Sequence, residues 1–320
     1  MSLYKGIVFF GAGILALSAQ DGSLSGPVAG LVFDRESRAL RPMIGVPGSS
    51  HLGAGLADGM EMAAVSPSGR LILASTEGRM LLGRIDEAGL KWSALGPEPA
   101  PELIVWSRSS ATAASYNADS RRLVLWKNLD GQPEAIALPL PEQGELTALV
   151  VESSGDGVVA SVDAAVYRFD AAGASVLARL ERPGALLLGA GERDLFVVDR
   201  GRQEILTVRG YRETPDVARL AGQGLGIADP VALALSPDGG SLLIAQARSL
   251  VVWDLTAADI RLQMGLDFEP TRLEPLVDGS VYALNARLRA GDVLRVLEFG
   301  DQPAIYFVPA GEATPSSVQE

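Results

Sequence analysis

Residues 230–255 read PVALALSPDGGSLLIAQARSLVVWDL, and this stretch decides the fold. Val231–Leu235 is an apolar run that stops at Ser236-Pro237-Asp238-Gly239. Ser241–Ala245 is a second run, and Leu250–Leu255 a third that contains Trp253-Asp254. Short aliphatic and β-branched runs bounded by Pro, Gly and Asp are strands joined by tight turns. The turn itself is chemically legible: proline presets a negative φ, aspartate caps nearby backbone N–H groups, and glycine supplies the positive φ that ends it. Residues 60–85, MEMAAVSPSGRLILASTEGRMLLGRI, repeat the pattern with Ser66-Pro67-Ser68-Gly69 in place of Ser236-Pro237-Asp238-Gly239. One β unit used repeatedly is the signature of a repeat architecture.

Working outward, six segments show the order strand, turn, strand, short loop, strand, longer turn, strand, beginning at Glu61, Glu102, Leu146, Ala185, Val231 and Thr271. Ser154-Gly155-Asp156-Gly157 and Asp278-Gly279 are expected to serve as the first turn in two of them. The spacing of roughly 40 residues is that of four-stranded antiparallel blades, so the fold class is all-β, a β-propeller. No window keeps apolar residues at helical spacing without a Gly, Pro or Asp interrupting it. Ahead of the six units, Val28–Phe33 and Ala39–Val46 read as a hairpin around the polar turn at 34–38. Seven blades are expected, the hairpin being an incomplete blade that closes the ring; a six-bladed ring with an outer hairpin is the alternative. The propeller is expected to span 26–309, followed by a polar tail at 310–320 expected to be disordered.

The pattern SPDGGSLLIA followed by SLVVWDL resembles bacterial propellers of the YVTN type and, more loosely, WD repeats. The resemblance extends over most of the chain and is strongest in the first and fifth full units. It implies a ring of blades around a central channel, used as a rigid platform for binding. WD repeats also place a histidine in a hydrogen-bonded network behind the Trp-Asp pair, whereas this chain has only His51, outside the full units. Trp126, Tyr167, Phe169 and Trp253 fall on third strands, where aromatic rings are expected to pack between blades.

Composition narrows the function. With 39 acidic against 27 basic side chains, the chain is not suited to nucleic acid or to anionic membrane surfaces. The absence of cysteine excludes disulfides, thiolate metal sites and cysteine nucleophiles. One histidine, read as a solvated residue of the loop Pro47–His51, excludes multi-histidine metal centres and leaves a serine triad unsupported. Neither a metal nor a cofactor is expected. Lys5, the apolar run 6–17 and the small residues Ser18 and Ala19 have the grammar of a secretory signal spanning 1–19. The expectation is an exported, periplasmic or extracellular monomer without stable membrane insertion.

The turns joining second to third strands carry polar residues that the repeat would arrange around the mouth of the channel. Candidate ligand-binding residues are Arg79, Asn117, Asp163, Asp199, Arg200, Gln246, Arg248, Asn285 and Arg287. Arginine offers paired donors, so such a ring suits a carboxylate, a phosphate or an acidic peptide. The expected function is a non-catalytic platform for a protein or peptide partner. The alternative is a carboxylate-based hydrolase or lactonase-like enzyme in the funnel, with Asp163 and Asp199 as its best-placed acid pair.

Overall fold

The computed structural model describes residues 28–276, 279–285 and 293–309. Blade 1 consists of β1 (Val28–Asp34), β2 (Ala39–Ile44) and β3 (His51–Leu52). Blade 2 holds β4 (Met62–Val65), β5 (Leu71–Thr76), β6 (Arg79–Asp86) and β7 (Gly89–Pro97). Blade 3 holds β8 (Leu103–Trp106), β9 (Ala113–Asn117), β10 (Arg122–Lys127) and β11 (Glu134–Leu138). Blade 4 comprises β12 (Leu146–Val151), β13 (Gly157–Val162), β14 (Ala165–Asp170) and β15 (Gly173–Arg179). Blade 5 comprises β16 (Pro183–Leu188), β17 (Asp194–Asp199), β18 (Glu204–Arg209) and β19 (Asp216–Gly222). Blade 6 is β20 (Pro230–Leu235), β21 (Ser241–Gln246), β22 (Ser249–Asp254) and β23 (Asp259–Gly265), and blade 7 is β24 (Glu274–Pro275), β25 (Val281–Ala283), β26 (Leu294–Glu298) and β27 (Ala304–Val308). Consecutive strands within each blade pair antiparallel, giving six four-stranded sheets and one three-stranded sheet among the described residues. The ring therefore has seven blades.

The hairpin expected at the N-terminal end gains a third strand, because Met43 and Ile44 pair with Leu52 and His51. His51 thus lies in a strand, exposed, rather than in the expected loop. Blade 1 closes the ring from both sides. Phe33 and Leu40 join the apolar core of blade 2. Val32, Met43 and Leu52 pack with Val281, Leu294, Val296 and Val308 of blade 7. The Leu52 N–H also donates to the Pro309 carbonyl at 3.2 Å. Inside the blade, the buried Arg41 guanidinium donates to the Gly53 and Leu52 carbonyls and pairs with Asp34 at 3.4 Å. A charge this deeply buried is tolerated because its donors are shared among a carboxylate and backbone oxygens.

The core is distributed between blades. Each apolar cluster joins neighbours: blade 3 to 4 through Tyr116, Leu125, Val151 and Phe169, blade 5 to 6 through Phe196, Val198, Ile244 and Trp253. Alternation explains this, since successive side chains of a strand leave on opposite faces and both faces of each blade are covered. Trp126 and Trp253, 2% and 0% exposed, sit in these layers as the sequence pattern expects. Trp126 Nε1 donates to Ser115 Oγ at 2.9 Å, and Asp254 caps the N–H groups of Thr256 and Ala257 instead of a histidine network.

The Ser236–Gly239 turn forms as its chemistry dictates. Gly239 has a φ of 72° and donates to the Ser236 carbonyl, while Asp238 accepts from Ser236 Oγ and Gly240 N. Blade 3 makes the same turn with Ser107-Arg108-Ser109-Ser110, without proline or glycine. In blade 4 the turn lies two residues earlier than Ser154–Gly157: it runs from Glu152 to Gly155, whose N–H donates to the Glu152 carbonyl. Glu152 thereby takes the place that Ser66 and Ser236 hold elsewhere.

Candidate functional site: the channel and its two rims

Antiparallel pairing puts successive turns at opposite ends of each blade. In blades 2 to 7, rim I carries the turns from inner to second strand; rim II carries the turns from second to third strand, together with the crossings that enter the next inner strand and the Asp34–Arg38 turn of blade 1. Between them runs a central channel of about 880 Å³, lined by the inner strands of blades 2 to 7. Val65, Leu103, Val105, Val150, Leu187 and Val231 contribute much of its wall.

Rim II is built from side chains that turn back onto backbone. In blade 2, Thr76 Oγ1 donates to the Gly59 carbonyl at 3.1 Å. Asn117 donates to the Ala100 carbonyl and accepts from Ser120 N, each at 2.7 Å. Asp163 accepts from Glu145 N at 2.9 Å. Gln246 accepts from Ala228 N at 3.0 Å and donates to Gly226 O and Ser249 Oγ. Asn285 clasps its own turn, donating to Val293 O and accepting from Arg295 N. In blades 2, 3, 4 and 6 the polar residue at the end of the second strand thus ties the crossing into its blade to that end.

Asp199 takes this furthest. It is fully buried and accepts from the N–H groups of Glu181, Arg182, Gly201 and Arg202 at 3.0–3.3 Å. Burial pushes its carboxyl up, but those backbone donors outweigh burial and hold it below the usual carboxylate range. Asp163 and Asp199 are therefore both aimed at backbone, and neither lines the channel.

The arginines separate into groups. Arg79 is exposed on rim II, and Arg248 is exposed there while donating to the Asp267 carbonyl at 2.9 Å. Arg200 lines the channel mouth and lies 3.5 Å from Asp229. Arg287, with Arg289, lies outside the described residues. Sequence reasoning missed Arg182 and Arg272, which line the same mouth, and Arg108, which lines the channel from rim I. The available signal was position: Arg182 immediately precedes Pro183 at the start of an inner strand, and Arg272 stands two residues before β24. The lining carboxylate is Glu274, paired with Arg272 at 3.2 Å.

Rim I is built from contacts between blades. Ser68 N donates to Ser110 Oγ at 3.0 Å, Ser109 Oγ to the Ser153 carbonyl at 3.2 Å, and Thr112 Oγ1 to the Glu152 carbonyl at 3.2 Å. Ser153 N in turn donates to the Glu192 carboxylate at 3.0 Å. Beneath this chain of turns, Glu152 is fully buried and accepts two hydrogen bonds from Arg168, at 2.8 and 3.1 Å. Arg212 of blade 5 bridges Glu152 and Glu192 at 3.4 and 3.0 Å, and Arg168 also pairs with Asp170. Hydrogen bonding to Glu152 holds the Arg168 guanidinium above its ordinary range. Burial, reinforced by the Glu152 charge, pushes the Tyr211 hydroxyl up as well.

Among the described residues, no group of three His, Asp or Glu side chains could hold a metal ion, and no helix is long and apolar enough to cross a membrane. No protein-family model and no curated protein sequence matches this chain. Solved structures do. A functionally unknown protein from Desulfotomaculum acetoxidans superposes with a TM-score of 0.64 at 10% identity, over 88% of this chain and 98% of that one. The Cps50 (Swd1) β-propeller domain of Myceliophteria thermophila gives 0.54 at 15% identity, over 81% of this chain and 93% of that domain. The WD40 repeats of RRP9 give 0.56 at 10% identity, over 78% and 81%. At these identities the likeness is one of fold: a seven-bladed propeller of the kind WD40 repeats form.

Proposed function

We propose that this protein is an exported, non-catalytic interaction platform that holds an acidic protein or peptide against rim II. The observation that carries this reading is the construction of that rim. Its turns are fixed by side-chain bonds to backbone, while the exposed Arg79, Arg182 and Arg248 side chains are left at its surface. A rim already ordered before binding loses little conformational entropy when a partner docks. Guanidinium groups on an acidic chain select for carboxylates by charge and by paired donor geometry. WD40-type propeller neighbours support the platform reading at the level of fold.

The hydrolase alternative asks for two carboxylates facing one bond, and Asp163 and Asp199 are instead engaged with the backbone of their own blades. Export rests on Lys5, the apolar run 6–17 and the exit at Ser18 and Ala19, all outside the described residues. The YVTN resemblance is part of the same proposal, as is the monomeric state.

The test is capture from a native envelope fraction by the mature protein and by an Arg79→Ala/Arg182→Ala/Arg248→Ala variant. The expected result is a partner retained by the native chain at low salt, lost from the variant, and released as salt rises. Equal retention by both proteins would contradict the rim II reading. For export, N-terminal sequencing from a secreting host should begin near Ala19 or Gln20; intact Met1 in soluble cytoplasm would sink it.

A further inference from the structure

We propose that the central channel itself is a binding site for an aliphatic monocarboxylate, with the hydrocarbon chain along the channel and the carboxylate at the rim II mouth beside Arg182 and Arg200. This goes beyond the platform reading: it shares Arg182 with rim II and adds the channel wall. The volume of about 880 Å³ falls in the range of small-molecule sites. Its wall is mostly aliphatic: Val65, Leu103, Val105, Val150, Leu187 and Val231 are packed against the apolar clusters between blades and keep part of their surface toward the channel. An aliphatic chain can lie along such a wall.

Charge settles which apolar molecule. The chain carries a net charge of −12, yet its channel is lined by Arg108, Arg182, Arg200 and Arg272 against Glu274. Arg272 is paired with Glu274 and Arg200 is shared with Asp229. Arg182 and Arg108 make no side-chain hydrogen bond or ion pair with any described residue, and Arg200 Nε is buried without a partner. Arg182 and Arg200 are also neighbours, since the Arg200 N–H donates to the Arg182 carbonyl at 2.8 Å. Gly184 makes room for this arrangement: a Cβ there would lie 2.9 Å from Arg200 Cγ. Arg200 is shared with Asp229, and Glu181 and Asp199 stand beside the same crossing, but the Arg182 guanidinium is left without a carboxylate partner among the described residues. A carboxylate head supplies it, accepts the paired donors, and leaves its chain to the aliphatic wall. A cationic amphiphile meets the wrong field, and a polyanion would set charge against the aliphatic wall between the two ends.

The experiment is calorimetric titration of the full mature chain with acetate, octanoate, decanoate and dodecanoate below their aggregation concentrations, with decanol and decyltrimethylammonium as controls. One molecule should bind per chain. Acetate should show no binding, and affinity should rise about threefold to fourfold per added methylene. Decanol and the cationic amphiphile should bind at least about tenfold more weakly than decanoate. Arg182→Ala, at an exposed side chain with no partner to lose, should weaken decanoate about tenfold or more without moving the thermal midpoint. Gly184→Ala, which displaces Arg200, should weaken it too, and Ala148→Trp, placed in the channel wall, should block it. Decanoate and decanol binding alike, affinity independent of chain length, full affinity in Arg182→Ala, or no binding of any carboxylate would each overturn the proposal. The two readings share only Arg182, and Arg79→Ala with Arg248→Ala separates them: it should lose the acidic partner and keep decanoate, whereas loss of decanoate binding too would contradict the channel site.

Discussion

The two rims use the same ingredients, short turns with Ser, Asp, Asn and Gly, to opposite ends. On rim I the side chains reach across to the next blade, so that Ser68, Ser109 and Ser153 bond to the turns at 110, 153 and 192 in succession. On rim II they reach back to the blade's own entry crossing, as Asn117 does to Ala100 and Gln246 to Ala228. Rim I therefore holds blades to one another, whereas rim II mainly fixes each blade's own shape, with Arg121 and Arg200 reaching on to the next crossing, and leaves cationic side chains over. On the proposed reading, recognition falls at the rim that leaves those cations over.

The largest effect that would break this comparison is expected from Glu152→Ala. It strips a buried carboxylate from Arg168 and Arg212 and cuts the link between blades 4 and 5. Removing one partner of a buried ionic cluster costs about 3–5 kcal/mol. The lower end is expected here because Arg212 is 38% exposed. Urea denaturation should show it, with rim II binding retained wherever the variant is still folded.

Asp199→Asn comes next. It replaces a charged acceptor of four backbone N–H groups by a neutral one, and hydrogen bonds to a charged group are worth about 1.5–3 kcal/mol. The lowered carboxyl sets the sign of the pH dependence. Its stabilisation is full above the unfolded aspartate pKa and is lost as pH falls through the lower folded value. The gap in stability between native and variant protein should therefore be widest near neutrality and close in acid; a gap that widens in acid would refute the assignment.

Ser236→Ala tests the rim I turn alone. It removes the Oγ that accepts from Ser241 N and donates to Asp238, with an expected loss of about 1 kcal/mol. The smallest change in stability is expected from Arg79→Ala with Arg248→Ala, within about 0.5 kcal/mol by thermal denaturation. That same pair should diminish binding of an acidic partner, so the exposed arginines of rim II affect binding while its buried Asp199 affects stability.

Much of the fold was legible because the blade period is written locally. Each run of alternating apolar residues pairs with the next run along, and the Ser-Pro-Asp-Gly turn carries its own geometry in its residue types. What escaped were features with no local signature. Strand β3 is two residues long and exists because Met43 and Ile44 offer it a partner. The blade 4 turn lies two residues earlier than expected because Glu152, not a serine, occupies its first position, and a glutamate there makes sense only beside Arg168 of β14 and Arg212 in the outer turn of blade 5.

The site was legible in part. The repeat placed Asn117, Asp163, Asp199, Gln246 and Asn285 at equivalent turns, and all are there. Their partners are backbone groups some seventeen residues upstream or in the following strand, which no turn motif announces. Arg182 and Arg272 lie in crossings without a recurring pattern, so only the assembled channel brings them to notice.

The division between rims is tested most directly by photocrosslinking in the native host, with a photoreactive amino acid placed singly at Arg79, Arg248, Ser68 or Asp238. The first two positions lie on rim II and the last two on rim I. Adducts to a common partner from Arg79 and Arg248, and none from Ser68 or Asp238, are the expected result. Adducts from Ser68 and Asp238 with none from Arg79 and Arg248 would contradict it, and would move recognition to the rim that holds the blades together.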